Sequence, residues 1–215
     1  MEIEGGIKMR KRKVGILIYD YVDILDFSGP AEVLSLTSNS KAEQALTLYK
    51  KDLLPTRPFE VFLITENGES VKTHSGIKVI PDYTINNHPD LDILIIPGGP
   101  LRAVQSIRKN KKIQDWIIKH KNIEYICSVC TGAIILGETG LLNGKRGTTH
   151  HLALKILQEN YPDIQVISED KVIQDSNIIT SGGVSSGINM ALYLVGKTIG
   201  ESAAERTATT IEFAL

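Results

Sequence analysis

The chain has 215 residues, of which 42% are hydrophobic and 23% charged, and this fits one globular domain with a sizeable core. The 24 basic and 25 acidic residues nearly balance, so composition predicts neither a nucleic-acid-binding surface nor one for an anionic membrane. No apolar stretch reaches the roughly 20 residues of a membrane span, and two cysteines are too few for a disulfide framework, which favours a cytoplasmic protein.

The N-terminal part begins with a basic cluster, K-M-R-K-R-K at 8–13, and this predicts a solvated extension over residues 1–12 followed by one domain over residues 13–215. Val14–Tyr19 is a continuous apolar run, which is typical of a strand buried on both faces of a parallel sheet. The next helix is predicted to begin at Gly29-Pro30, because proline suits the first turn. The polar segment 38–58 predicts an exposed helix and loop.

The rest of the chain alternates between strand and helix patterns. The predicted strands are short apolar runs: Phe59–Thr65, Lys78–Pro81 (expected to pair with Val71 and Lys72), Asp92–Pro97, the run containing Cys127, and pieces at Val166, Val172 and Ile178–Thr180. The predicted helices are the segment around Ile113 and Trp116, then Ile134–Thr139, His151–Asn160, Ile188–Ile199 and Glu201–Phe213. This alternation predicts an α/β fold, an open doubly wound sheet that binds ligand at the carboxyl ends of its strands.

Cys130 is the strongest candidate for a reactive group. It ends the apolar run E-Y-I-C-S-V-C-T-G and is followed by small residues and a helical pattern, which predicts a sharp strand-to-helix turn with Cys130 at its apex. The start of the helix is expected to lower the pKa of an exposed thiol there and give a reactive thiolate. Cys127 is predicted to be a buried structural residue. The C-x-x-C spacing leaves open a redox pair or half of a zinc site, but nothing in the sequence completes such a site.

Two other segments follow apolar strands and are predicted to reach the same cleft. Gly98 and Gly99 present amides without side chains, which suits an oxyanion hole, with an ordinary loop turn as the alternative. Asp26 lies between two large apolar residues, so partial burial is expected to raise its pKa and make it a proton shuttle for the thiol. Asp23 is the competing candidate, and a helix cap is the alternative role for either carboxylate.

His150 lies in the segment G-T-T-H-H before a predicted helix and is a candidate to serve the cysteine as a base or to bind substrate. A lone histidine is, however, more often structural. The segment S-G-G-V-S-S-G, residues 181–187, is similar to a phosphate cradle but lacks the lysine and the spacing of a P-loop. We therefore expect it to pack as a tight loop over the cleft.

Five motifs in consistent order make the chain resemble the ThiJ/PfpI superfamily, which is related to the class I glutamine amidotransferase domain. They are L-D-F-S-G-P, I-P-G-G, S-V-C-T-G-A, G-L-L-N-G-K-R-G-T-T-H and N-I-I-T-S-G-G-V-S-S-G-I-N-M-A-L. Within it the chain is most similar to isocyanide hydratases and to the ligand-sensing domains of AraC-type regulators. The resemblance implies a flavodoxin-like sandwich, a homodimer, and a nucleophile at Cys130 assisted by Asp26 and Thr131. Thr131 stands where amidotransferase and protease-like members have histidine, which argues against peptidase or amidase activity.

The predicted function is that of a hydratase that uses a cysteine and no cofactor or metal, converting an isocyanide to an N-substituted formamide. Two alternatives remain open. One is a non-catalytic domain that senses a small molecule, as in AraC-type regulators. The other is a glyoxal-type detoxifying or oxidation-sensing protein. The expected partners are a small molecule and a second copy of the chain, without nucleic acid or membrane.

Overall fold

A central sheet organises the protein in the computed structural model, which describes residues 10–47, 49–52 and 55–214. The strands in these residues are β1 (Arg12–Leu17), β2 (Phe59–Thr65), β3 (Val71–Lys72), β4 (Lys78–Val79), β5 (Tyr83–Thr84), β6 (Ile93–Ile96), β7 (Tyr125–Val129), β8 (Arg146–Gly147), β9 (Gln165–Val166), β10 (Val172–Asp175) and β11 (Ile178–Ser181). The helices are α1 (Ile24–Leu36), α2 (Lys41–Leu46), α3 (Leu101–Arg108), α4 (Lys111–Lys119), α5 (Gly132–Glu138), α6 (Leu154–Asn160), α7 (Ser186–Thr198) and α8 (Glu201–Thr210), with a 3-10 turn over His151–Ala153.

The main sheet has seven strands in the order β10-β11-β7-β6-β1-β2-β5. Its strand pairs are parallel except for the β10–β11 hairpin. Helices α1, α7 and α8 pack against one another, and α3, α4 and α5 form a second group, so that helices flank the sheet. The predicted fold class, a doubly wound and mostly parallel α/β sheet in a flavodoxin-like sandwich, is confirmed.

The core lies on both faces of the central strands. Every residue of β6 is buried, and β7 is buried from Ile126 onward. Such continuous apolar runs are expected where helices cover both faces of a parallel sheet, because no side of the strand faces water. The predicted pairing of Val71 and Lys72 with the strand at Lys78 is also confirmed, as a small antiparallel hairpin of β3 and β4 outside the main sheet.

The predicted start of the first helix at Gly29-Pro30 is wrong. Helix α1 already begins at Ile24, so Pro30 lies inside it. A proline inside a helix loses one backbone hydrogen bond, yet here the buried ring packs against α7, where a Cβ on Gly187 would lie 3.3 Å from it. Tertiary packing therefore overrides the preference of proline for the first turn of a helix. Asp26, which was predicted to lie in a loop, lies in the first turn of α1.

The described part of the basic cluster is attached to the domain. Arg12 begins β1, and its guanidinium donates to both carboxylate oxygens of Glu124 at 2.7 and 3.0 Å. Arg10 pairs with Asp92. Residues 1–9 lie outside the described residues, so the boundary of the extension at residue 12 stays a prediction.

The strand order brings three segments to one edge of the sheet. β1, β6 and β7 are neighbours and run parallel, so the residues that follow them emerge side by side. From β1 the chain first goes to β2 on one side, and it later returns to form β6 on the other side of β1. This reversal opens a crevice at the carboxyl ends of the strands. Among the described helices, none is long and apolar enough to cross a membrane.

Candidate active site

Cys130 occupies the predicted turn between β7 and α5. Its backbone is in the left-handed region, with φ 56°, which is strained for a residue with a side chain. Its N–H donates to the carbonyl oxygens of Gly182 at 2.9 Å and Ser181 at 3.2 Å, and these bonds hold the turn. Glycine is required at position 132, because a Cβ there would lie 2.1 Å from the carbonyl oxygen of Ile96.

The prediction of an exposed thiolate with a lowered pKa is wrong. Cys130 is only 3% exposed, and burial together with the nearby charge of Asp26 raises the pKa of its thiol to about 12. The backbone N–H groups of Val184 and Thr131 act in the opposite direction, since they donate hydrogen bonds toward the sulfur. The segment 181–187, predicted to be a tight loop over the cleft, is instead the end of β11, a short turn and the start of α7, and the turn brings the Val184 amide to the sulfur.

Asp26 is the buried carboxylate of the site. It is 0% exposed, and its Oδ2 accepts the N–H of Gly98 at 2.9 Å. Its other oxygen, Oδ1, has no hydrogen-bond partner among the described residues. Burial, with a smaller contribution from the charge of Asp23, raises the pKa of Asp26 to about 7 against the opposing hydrogen bonds from Gly98 and the Cys130 thiol. The raised pKa agrees with the sequence analysis, and such a group can accept and return a proton near neutral pH.

The candidate carboxylates and the thiol lie together. Oxygens of Asp23 and Asp26 and the sulfur of Cys130 are all within 4.8 Å of one another, the one set of potential metal ligands this close in the described residues. Asp23 precedes α1, but its side chain caps no helix amide. It is partly exposed and contacts His74, whereas Asp26 is buried next to the thiol. Of the two carboxylates near the thiol, Asp26 is therefore the one shielded from solvent.

The amides of Gly98 and Gly99 do not form the predicted oxyanion hole, because both already have acceptors. Gly98 donates to Asp26, and Gly99 donates to Thr131 Oγ1 at 2.9 Å. The loop has no room for a side chain, since a Cβ on Gly98 would lie 2.5 Å from Thr131 Oγ1. The N–H groups of Thr131 and Val184, which point at the sulfur, are the donors available to developing charge.

Thr131 holds the glycine loop in place. Its hydroxyl donates to the carbonyl oxygen of Gly99 at 2.8 Å and accepts the Gly99 N–H, so it has no hydrogen left for a substrate. We expect Thr131→Val to lower the free energy of unfolding by about 1–3 kcal/mol, because it leaves two buried backbone groups unpaired. Thr131→Ser keeps the hydroxyl and should remain near wild type in urea denaturation. A loss in Thr131→Ser as large as that in Thr131→Val would contradict this role of the hydroxyl, because serine keeps that group.

His150 lies at the cleft but not as a base for the cysteine. Its Nδ1 accepts the N–H of Leu152 at 3.2 Å, so the neutral ring carries its proton on Nε2. Burial and the neighbouring His151 lower the pKa of His150, while the charge of Asp23 raises it. The ring fills the space above Gly183, where a Cβ would lie 2.3 Å from its Cδ2. None of the described hydrogen bonds joins His150 to Cys130. With its proton on Nε2, the neutral ring is a hydrogen-bond donor at that atom.

The sequence analysis missed three contributors to the site. Tyr19 donates its hydroxyl to the carbonyl oxygen of Pro97 at 3.0 Å, and Thr149 donates to the carbonyl oxygen of Cys130 at 2.8 Å. Val184 supplies an amide to the sulfur from a backbone with φ 29°. Tyr19 ends a predicted strand and Thr149 precedes the candidate His150, so the sequence could have indicated that both lie near the site. Nothing in the sequence marks Val184.

Asp26 is expected to destabilise the fold at high pH. Its pKa in the folded protein is about 7 against an ordinary 3.8, so its contribution to stability is present at low pH and is lost as the pH rises through this interval. Asp26→Asn cannot ionise and keeps an acceptor for Gly98. We expect its melting temperature to exceed that of wild type by on the order of 5 °C at pH 8 and to match it near pH 4. A variant less stable than wild type at both pH values would contradict this.

A cysteine at a strained strand-to-helix turn, beside a buried carboxylate in a doubly wound sheet, defines an α/β protein with a cysteine elbow. Residues 12–197 match the model of the DJ-1/PfpI family, and the chain belongs to that family. It is similar to isonitrile hydratase from Pseudomonas putida, at 31% identity over 204 residues that cover 94% of this chain and 78% of the relative.

Regulators and solved structures are similar as well. The HTH-type transcriptional regulator CdhR from Pseudomonas aeruginosa is 30% identical over 141 residues, which cover 64% of this chain and 40% of the regulator. The crystal structure of a ThiJ/PfpI family protein from Pseudomonas syringae superimposes with a TM-score of 0.81 at 22% identity, over 100% of this chain and 83% of that chain. At this identity the structural match bears on the fold alone.

Proposed function

We propose that this protein is a hydratase that adds water to an isocyanide and releases an N-substituted formamide, without a cofactor. The observation that carries the proposal is the pairing of Cys130, on its strained elbow, with a buried carboxyl whose pKa of about 7 suits proton exchange. The similarity to isonitrile hydratase over 94% of the chain supports the choice of substrate class.

In the first half of the proposed reaction, Asp26 takes the proton of the Cys130 thiol, and the sulfur attacks the terminal carbon of the isocyanide. Asp26 then gives the proton to that carbon, which yields a thioimidate bound to the enzyme. The amides of Thr131 and Val184 stabilise negative charge on the sulfur before attack. Burial of the pair keeps the proton within the site, because solvent has little access to either group.

In the second half, water attacks the thioimidate carbon while Asp26 accepts one of its protons and returns it to the substrate nitrogen. The carbon–sulfur bond then breaks as the new hydroxyl becomes the formamide carbonyl, and its proton returns to the sulfur through Asp26. One isocyanide and one water are consumed and one formamide is formed. No electron acceptor is required.

The second candidate function is small-molecule sensing without turnover. The similarity to the regulator CdhR supports it, as does the raised pKa of Cys130, which leaves the resting thiol protonated at neutral pH. We also propose a homodimer and a cytoplasmic location, as expected from the sequence analysis. Light scattering on the purified protein tests the homodimer.

The experiment that tests the function is a panel of aliphatic and aromatic isocyanides, glyoxals and amides, with formamide, hydroxy acid or carboxylate release followed by mass spectrometry. We expect formamide from at least one isocyanide and no hydrolysis of amides. Isocyanide binding by calorimetry without formamide release would favour the sensing function. Turnover restricted to glyoxals would favour a detoxifying enzyme.

A further inference from the structure

The small hairpin of β3 and β4 holds His74 against Asp23. Its backbone is joined to the segment after β1 by two bonds, from Tyr21 N–H to Lys72 O at 2.7 Å and from His74 N–H to Val22 O at 3.0 Å. The hairpin turn is also braced internally, since Thr73 Oγ1 accepts the N–H of Ile77 at 3.0 Å. This places His74 Nδ1 3.1 Å from Asp23 Oδ1, with the imidazole as donor.

The side chain of Asp23 lies between solvent and the groups proposed to react, Asp26 and Cys130. Its side chain is 26% exposed, and that of His74 is 60% exposed. On the inner side its carboxylate shares the 4.8 Å cluster with Asp26 and Cys130. The titratable groups that face it are His74 from the hairpin, Tyr19 from the segment after β1, Asp26 from α1, Cys130 from the elbow and His150 from the segment before the 3-10 turn.

We propose that Asp23 and His74 form a specificity-determining pair that excludes anionic electrophiles from Cys130, with the exclusion set by whether a positive charge at position 74 neutralises Asp23. A carboxylate oxygen of Asp23 lies within 4.8 Å of the sulfur, so an electrophile that reaches the sulfur comes close to this charge. Neutral isocyanides meet no electrostatic barrier there, whereas a substrate that carries a carboxylate or phosphate next to its reactive carbon does. This deepens the proposed function and rests on it only in taking Cys130 as the nucleophile.

The size of the effect follows from the distances. A unit charge within about 5 Å of another changes a rate by about fourfold even when the interaction is screened as in water, and by more when it is partly buried. The side chain of Asp20, in the same segment, instead accepts the N–H of Lys72 at 2.9 Å and faces the hairpin. Asp20 thus offers a matched control, a carboxylate in the same loop but outside the cluster.

The test compares two alkylating reagents of nearly the same size, neutral iodoacetamide and anionic iodoacetate, at pH 8. Mass mapping follows the adduct on Cys130, and each rate is divided by the rate of the same reagent with a small free thiol. The ratio of the iodoacetate rate to the iodoacetamide rate does not depend on the ionisation of the thiol and reports the charge near the sulfur. We expect a ratio below one in wild type and an increase of about fourfold or more in Asp23→Asn.

The role of His74 is tested by a matched pair of variants. His74→Lys places a permanent positive charge beside Asp23, and His74→Gln keeps a neutral donor. We expect the ratio to be about fourfold higher in His74→Lys than in His74→Gln, and Asp20→Asn to stay within twofold of wild type. An unchanged ratio in Asp23→Asn, an equal change in Asp20→Asn, or equal ratios in the two His74 variants would overturn the proposal. Because no isocyanide is used, the result is independent of whether the protein hydrates one.

Discussion

Cys130→Ala is expected to reduce isocyanide hydration by about four orders of magnitude or to the uncatalysed background. The sulfur forms the covalent bond to the substrate carbon in the proposed reaction, and the neighbouring Thr131 hydroxyl is held by Gly99. The measurement is the initial rate of formamide release under saturating isocyanide. The change removes a small side chain at 3% exposure, so the fold should persist, and circular dichroism can verify it.

Cys127→Ala is the matched control for this loss. Cys127 lies in β7 at 0% exposure, and its pKa is raised by burial alone. Its replacement should reduce stability slightly through a small cavity and leave turnover within a few-fold of wild type. Comparable losses in both variants would show that activity depends on the integrity of β7 and not on the Cys130 sulfur.

Asp26→Asn is expected to lower turnover by about a hundredfold or more, the usual size of a general acid–base contribution. Asp26 must be ionised to accept the proton of the thiol, and its pKa is about 7. Wild-type activity should therefore fall as the pH is lowered through about 7. The variant has no such group, so its residual rate should lack this midpoint and rise with pH as the thiol ionises on its own.

The rate against pH distinguishes this role from a structural one. Asp26→Asn should also be the more stable protein at pH 8, so a lower rate with a higher melting temperature cannot be ascribed to unfolding. Asp23→Asn is the matched control, and a neutral isocyanide should be hydrated by it at a rate within a few-fold of wild type. Full activity in Asp26→Asn together with loss in Asp23→Asn would reassign the proton transfer to Asp23.

Much of the fold could be predicted from local patterns. Continuous apolar runs at β1, β6 and β7 indicated buried parallel strands, because only strands covered on both faces are apolar throughout. The run that ends at Cys130, followed by small residues, predicted the elbow. The start of α1 could not be predicted, since proline disfavours a helix interior and the packing of the Pro30 ring on Gly187 involves a helix distant in sequence.

The sequence by itself determined which residues reach the carboxyl edge of the sheet, because parallel strands that alternate with helices all end at the same edge. Only the tertiary structure decided what those residues can do there. Burial of the thiol and the charge of Asp26 beside it raise the pKa of Cys130, where the helix alone would lower it. The glycine amides bind Asp26 and Thr131, and the hairpin places His74 against Asp23. Burial and pairwise charge depend on contacts between segments far apart in the chain, and local sequence patterns do not encode those contacts.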